Sequence, residues 1–197
     1  MTTSATLRTL SGIVDSPAAL ATSTVVLIDF QNTYTRGEME LEGWDAALDA
    51  AADLLAKARR AGATVIHVQH DGGVGSAYDI RDDIGAIHER VAPNDDEAVV
   101  VKTAPNSFVG TELGDLIDAA GHEDVVIAGF MTHMCVNYTT EGAFLRGNRP
   151  TVVAAATATR SLPSVVGDVS AAQLHRAALA GIADLYATVV PTAADLS

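Results

Sequence analysis

Apolar residues in this chain fall into short unbroken runs, separated by stretches whose apolar positions recur with a helical period. "TVVLIDF" (residues 24–30) is apolar without alternation until it reaches a carboxylate, and predicts a strand covered on both faces. "WDAALDAAADLLAKARRAG" follows, with Leu48, Leu55 and several alanines on one face and Gly62 as its stop. "ATVIHVQH" and "EAVVVK" predict the second and third strands, the third ending at Lys102. Between them, "DGGVGSAYDIRDDIGAIHERVAPNDD" predicts a long loop with at most a short helix over residues 84–90. "TELGDLIDAAG" predicts a helix with Thr111 as its N-cap. "DVVIAGF" is the fourth strand, a helix over 135–146 follows, and "PTVVAAAT" is the fifth strand. "DVSAAQLHRAALAGI" then predicts a helix and "ADLYATVV" a sixth strand.

Strands that alternate with helices through right-handed crossovers give a three-layer α/β/α fold with a six-stranded, mostly parallel, Rossmann-like sheet. A chain of 197 residues buries one such core well. With no repeat, low-complexity tract or linker in sight, residues 1–197 read as a single domain, with 1–22 as an N-terminal extension.

Composition narrows the partners. Apolar residues make up 48 % and charged residues 19 %, which excludes intrinsic disorder. The longest apolar runs are strand-sized, well short of the roughly 20 residues that cross a bilayer. Acidic residues outnumber basic ones 25 to 12, a formal charge of −13 that repels phosphate backbones and anionic membranes. Neither nucleic acid nor membrane is therefore expected as a partner. The single cysteine forms no internal disulfide, and the first residues lack a basic segment followed by an apolar core. Both features lead to an expected cytoplasmic location.

Ligands of open parallel sheets bind beyond the carboxyl ends of the strands. Asp29, Lys102 and Cys135 stand at or just past such ends, each unlike the apolar run before it. Taken singly they read equally well as a turn cap, a solvent-facing lysine and a buried filler. Together they form a chemical set. A free thiol is mostly protonated near neutrality, and a neighbouring ammonium or a helix N-terminus favours its thiolate. A carboxylate can take the thiol proton and later return it to a departing amine. The turn "FMTHMC" lies where backbone donors for an oxyanion would sit.

"LIDFQNTY", "VVVKTAPNSFVGTEL" and "VVIAGFMTHMCVNYTT" resemble the three signature segments of the isochorismatase-like cysteine hydrolase superfamily, in order and in spacing. The resemblance runs from about residue 25 to beyond 175 and implies the isochorismatase-like hydrolase fold. It further implies a triad of Asp29, Lys102 and Cys135, a cis peptide between Phe130 and Met131, and an oxyanion hole of the Met131 and Cys135 amides. If the sheet order is also that of the superfamily, 3-2-1-4-5-6, Lys102 belongs to an edge strand. Ser107 and Phe108 match loop and pocket-wall positions, and Gln31 and Asn32 match structural ones. A homodimer or homotetramer is the implied assembly.

Nicotinamidases, within the same superfamily, also carry a metal site that reads D-x-H. Here "VIHVQHDGGVGSAYD" holds His67, His70 and Asp71 without that order, so no catalytic metal and no cofactor is expected. His67 reads as a satisfied strand histidine and His70 as the pocket candidate. Tyr34 is a candidate pocket wall, whereas Trp44 reads rather as a brace at the start of the first long helix. His133 is assigned to the rim, and Tyr138 and Thr139 fit the pocket floor or helix packing equally. "DGGVGS" lacks the strand-to-helix frame of a phosphate loop.

True isochorismatases cleave a vinyl ether and typically lack the cysteine, so Cys135 directs the reading to carbon–nitrogen bonds. The expected activity is hydrolysis of a small-molecule amide, lactam or ureido substrate through a thioester. The alternatives are isochorismatase-type vinyl ether cleavage, or a non-catalytic relative that binds a small molecule or responds to oxidation.

Overall fold

The computed structural model describes residues 4–197. After a short α1 (Leu7–Leu10) come β1 (Ser23–Ile28), α2 (Trp44–Ala61), β2 (Thr64–His70) and β3 (Ala98–Lys102). The chain continues through α3 (Leu113–Ala120), β4 (Asp124–Phe130), a π-helical turn at Thr132–Val136 and α4 (Asn137–Leu145). It closes with β5 (Arg149–Ala158), α5 (Ala171–Leu185) and β6 (Thr188–Val190). All six strands are parallel in the order β3-β2-β1-β4-β5-β6, which puts the switch point between β1 and β4.

Because successive side chains of a strand point to opposite faces, each unbroken apolar run feeds two cores. Val25 and Leu27 of β1 pack with Leu48, Ala51, Leu54 and Leu55 of α2. Val26 and Ile28 pack on the other face with Leu113 and Ile117 of α3, Ala143 of α4 and Ile182 of α5. Each fully buried leucine of α2 stabilises the fold by about 1.5–3 kcal/mol, so the helix is held by its face rather than by propensity. Gly62 ends it at φ 74°, and its N–H returns to the Ala58 and Arg59 carbonyls.

Several local readings are corrected. The span 84–90 is no helix but two 3₁₀ turns, Asp83–Gly85 and Glu89–Val91. Glu112, not Thr111, occupies the cap position of α3 and makes no side-chain cap bond, while the Thr111 hydroxyl one residue earlier accepts from the Leu113 N–H and donates to the Ser107 carbonyl. "ADLY" continues α5 to Leu185, leaving only Thr188–Val190 as strand. Its capping box between Ser170 and Gln173 sets the start of α5 at Ala171. Cover on both faces also fails at the β3 edge, where Val99 and Val101 are exposed. Among the described residues no helix is long and apolar enough to cross a membrane.

Candidate active site

The switch point opens a crevice where β1 and β4 feed loops that leave in opposite directions. Asp29 follows β1 directly and has φ 53°, a left-handed conformation that costs a non-glycine residue about 1–3 kcal/mol. Its N–H still bonds the Val68 carbonyl at 2.9 Å, so the ladder continues while the side chain is turned across the sheet end. Gln31 fixes the loop that follows: its amide donates to the His70 and Gly85 carbonyls, and its oxygen accepts from His70 N–H. Asn32 donates to the Asp83 carbonyl. Both are structural, and they tie the 71–97 connection to the end of β1.

Lys102, the last residue of β3, is 1 % exposed despite its edge strand. Its long side chain carries the ammonium past β2 to the crevice. There Nζ lies 2.7 Å from Asp29 Oδ2 and 3.4 Å from Cys135 Sγ, and His70 Nδ1 is 3.1 Å away. An ammonium has three protons, and here it faces three acceptors. Burial and then the Lys102 charge push His70 down to about 4, so its ring is neutral and Nδ1 accepts.

Cys135 sits inside the π-helical turn, two residues before α4 begins at Asn137. The Met131 carbonyl accepts from the Met134 and Val136 N–H groups, which folds the turn tightly behind β4. The Phe130–Met131 peptide is cis. Two side-chain bonds anchor the turn from outside: Thr132 Oγ1 is 3.0 Å from His175 Nδ1 of α5, and His133 Nδ1 is 2.6 Å from Thr159 Oγ1. His133 is thus held at the rim on the β5 side.

The electrostatics differ from the sequence expectation of a stabilised thiolate. Burial pushes the Cys135 thiol up to about 12, and the Asp29 carboxylate adds to this while Lys102 opposes it. Burial likewise raises the Asp29 carboxyl, with the Lys102 charge working against it. Neither Asp29 oxygen receives a well-angled hydrogen bond, so both keep lone pairs for a proton. The site therefore holds a neutral thiol beside a basic carboxylate and a shared ammonium.

Aromatic rings surround this group. Tyr34, 2 % exposed, packs edge-on against Phe130 at 5.7 Å and against Tyr78 at 5.7 Å. Tyr78 also meets the His70 ring edge-on at 5.1 Å, and it is half-buried in the 71–97 loop. Arg81 binds Asp71 and Asp79 and so pins that loop. Phe108 packs against the core group that includes Cys135. Its ring lies under Arg146 at 5.3 Å and packs on Gly142 of α4, because Ser107 bonds Thr139 through both its N–H and its hydroxyl and draws the segment onto that helix. Thr139 thus serves packing, and Tyr138 is exposed. Trp44 donates to Glu40 at the start of α2. His67 is buried against Glu97 and Arg59, away from the crevice.

Sequence reasoning missed Tyr78, which packs on His70 and Tyr34 but sits in a loop without periodicity and carries no signal. Three hollows lie elsewhere. One of about 420 Å³ is lined by Arg8, Asp124 and Tyr186 at the amino edge of the sheet, one of about 410 Å³ lies between α2, β5 and α5, and one of about 440 Å³ is lined by Leu162, Val169 and Gln173. None is lined by Asp29, Lys102 or Cys135, so chemistry rather than size marks the site.

Comparison with known proteins adds to this geometry. The model of the isochorismatase domain matches residues 23–194. The secreted isochorismatase effector Isc1 of Verticillium dahliae is 33 % identical, over 93 % of this chain and 95 % of its own. A streptothricin hydrolase of Streptomyces noursei is 35 % identical over 86 % of this chain and 68 % of its own. A maleamate amidohydrolase of Pseudomonas putida is 34 % identical over 66 % and 68 %. The crystal structure of an isochorismatase from Pseudomonas putida KT2440 superposes with a TM-score of 0.95 at 36 % identity, covering 99 % of this chain and all of the other.

Proposed function

The chain belongs to the isochorismatase family, and from that premise we propose that it hydrolyses a carbon–nitrogen bond of a small non-peptide amide, lactam or ureido compound through a thioester on Cys135. One observation carries the reading: the buried Lys102 ammonium stands between Asp29 at 2.7 Å and Cys135 Sγ at 3.4 Å. Relatives named for the hydrolysis of maleamate and streptothricin support the reaction class.

With the thiol pushed up to about 12, a free thiolate is scarce at neutral pH. Attack is therefore coupled to proton transfer. As Sγ bonds to the substrate carbonyl carbon, Asp29 takes the thiol proton, and burial has already made that carboxylate a stronger base than an exposed one. Lys102 offsets the charge that builds on sulfur. The Met131 and Cys135 N–H groups receive the oxyanion. Collapse breaks the carbon–nitrogen bond while Asp29 returns the proton to the departing nitrogen. Water then gives a proton to Asp29 and its oxygen to the thioester carbon. The acid leaves, and the proton goes back to Sγ.

The test is release of ammonia or amine from a panel of small amides, lactams and ureido acids, together with mass detection of an acyl group on Cys135. Cys135→Ala is expected to abolish both. Hydrolysis that persists in Cys135→Ala excludes the thioester route. A second reading, vinyl ether cleavage, is favoured by the name of the Verticillium relative, and it predicts turnover of isochorismate that survives Cys135→Ala.

A further inference from the structure

His175 of α5 reaches the turn that carries Cys135, and the mechanism above gives it no part. Its Nδ1 lies 3.0 Å from Oγ1 of Thr132, a side chain with no exposed surface. The contact has a direction. Among the described residues Nδ1 is the one hydrogen-bond partner of the Thr132 hydroxyl, so the hydroxyl proton is satisfied only when it is donated to an unprotonated Nδ1. Burial lowers His175 from its ordinary value, which keeps the ring neutral and that nitrogen free to accept.

The bond lies where the turn sets its donors. Thr132 directly follows Met131, whose N–H is one of the two assigned to the oxyanion and whose carbonyl accepts from Met134 and Val136. His133, the next residue, is held by Thr159 just past β5. Two successive residues of the turn are therefore pinned to two different elements, and the peptide planes between Met131 and Cys135 lose their freedom to rotate. Both anchors, His175 and Thr159, also line the hollow of about 410 Å³ between α2, β5 and α5, so the far side of this clamp opens on space that a small molecule can enter. The plain role of a buried threonine–histidine bond is to hold a helix on the sheet. Attachment one residue from Met131 gives this one a chemical consequence as well.

We propose that His175 is a positioning residue, which acts through Thr132 to aim the Met131 N–H at the oxyanion formed when Cys135 adds to a carbonyl group. The proposal rests on the hydrolase reading and deepens it. A donor that is already aimed needs no reorganisation as charge develops on the oxygen, whereas a donor on a loosened turn must be re-aimed while the barrier is crossed.

The test separates oxyanion chemistry from sulfur chemistry. Isotope-labelled acetaldehyde, followed by carbon NMR, adds to Cys135: a carbon–sulfur bond forms, the carbonyl π bond opens, and the thiol proton passes to the oxygen, which lies where the oxyanion would. Iodoacetamide alkylates the same sulfur by losing iodide and develops no oxyanion. His175→Ala is expected to weaken the acetaldehyde adduct, and to lower kcat on any amide turned over, by about tenfold or more, with KM and the alkylation rate little changed. His175→Asn, whose side-chain oxygen accepts in place of Nδ1, should keep part of the adduct. Imidazole added to His175→Ala is expected to restore adduct and kcat, and pyrrole, a ring of similar size without an acceptor nitrogen, to restore neither. Thr132→Val keeps the shape and deletes the hydroxyl; it should match His175→Ala without responding to imidazole, and the double variant should be no worse than either. Circular dichroism and melting temperatures establish that the variants are folded. No adduct in the wild type, an adduct unchanged in His175→Ala, equal rescue by pyrrole, or alkylation slowed as much as adduct formation overturns the proposal. The two readings fail separately. An adduct that depends on His175 in a protein that hydrolyses no amide leaves the positioning role standing and removes the hydrolase reading. Amides hydrolysed equally well with and without His175 do the reverse.

Discussion

Replacing Lys102 with methionine tests the charge arrangement on which the site depends. Nζ and Oδ2 of Asp29 are 2.7 Å apart, and both side chains are fully buried. At an effective dielectric of 20, that separation corresponds to an attraction of about 6 kcal/mol. In the intact pair most of this offsets the loss of hydration of the two ions. Lys102→Met removes the attraction and leaves the Asp29 carboxylate dehydrated, a change that costs ~3–5 kcal/mol. The carboxyl, already raised by burial, rises further without its cation. The sign of the pH dependence follows. A carboxyl raised by folding takes up a proton in the folded state, so its penalty is absent below its ordinary value of 3.8 and grows as pH rises. Urea denaturation of wild type and Lys102→Met near pH 5 and pH 8 should therefore show the larger loss at pH 8. The double variant Lys102→Met/Asp29→Asn should recover much of it, since no buried charge remains. Equal losses at both pH values, or a double variant no more stable than Lys102→Met, would falsify the claim that an ion pair governs this site.

Two further outcomes can be checked directly. The rate of Cys135 alkylation by iodoacetamide should climb steadily from pH 7 to pH 10 and be faster in Asp29→Asn, because burial and then the Asp29 charge hold the thiol at about 12; a plateau near pH 8.5 would contradict this. Gly129→Ala should destabilise the protein by about 3 kcal/mol or more in urea, since φ 149° is a glycine conformation and the added Cβ would stand 2.2 Å from the Ile28 carbonyl oxygen; a change under about 0.5 kcal/mol, typical of neutral surface substitutions, would sink that reasoning.

Much of the architecture was legible because apolar periodicity is a local property that packing then uses. The unbroken runs around Val25, Val65, Val125 and Val152 supplied side chains to both faces, and the one-sided patterns of α2 and α3 supplied the layers. The errors came where neighbours in space overruled the local pattern. α5 extends over Ala183–Leu185 because the helix continues to pack on the sheet, although the same residues read as the start of a strand. The bonds between Ser107 and Thr139, far apart in sequence, had no local signal either.

The sequence by itself determined the fold class and the family and singled out Asp29, Lys102 and Cys135, since each stands at or just past the end of an apolar run and the motifs around them are contiguous. Only the tertiary structure decided what those side chains are to one another. It brought an ammonium from the edge strand across β2, gave it His70 as a third acceptor, and buried the thiol deeply enough to keep its proton. It also left the Arg160 Nε buried without a hydrogen-bond partner. Distances, burial and protonation arise from elements that meet in space, and no stretch of chain contains them.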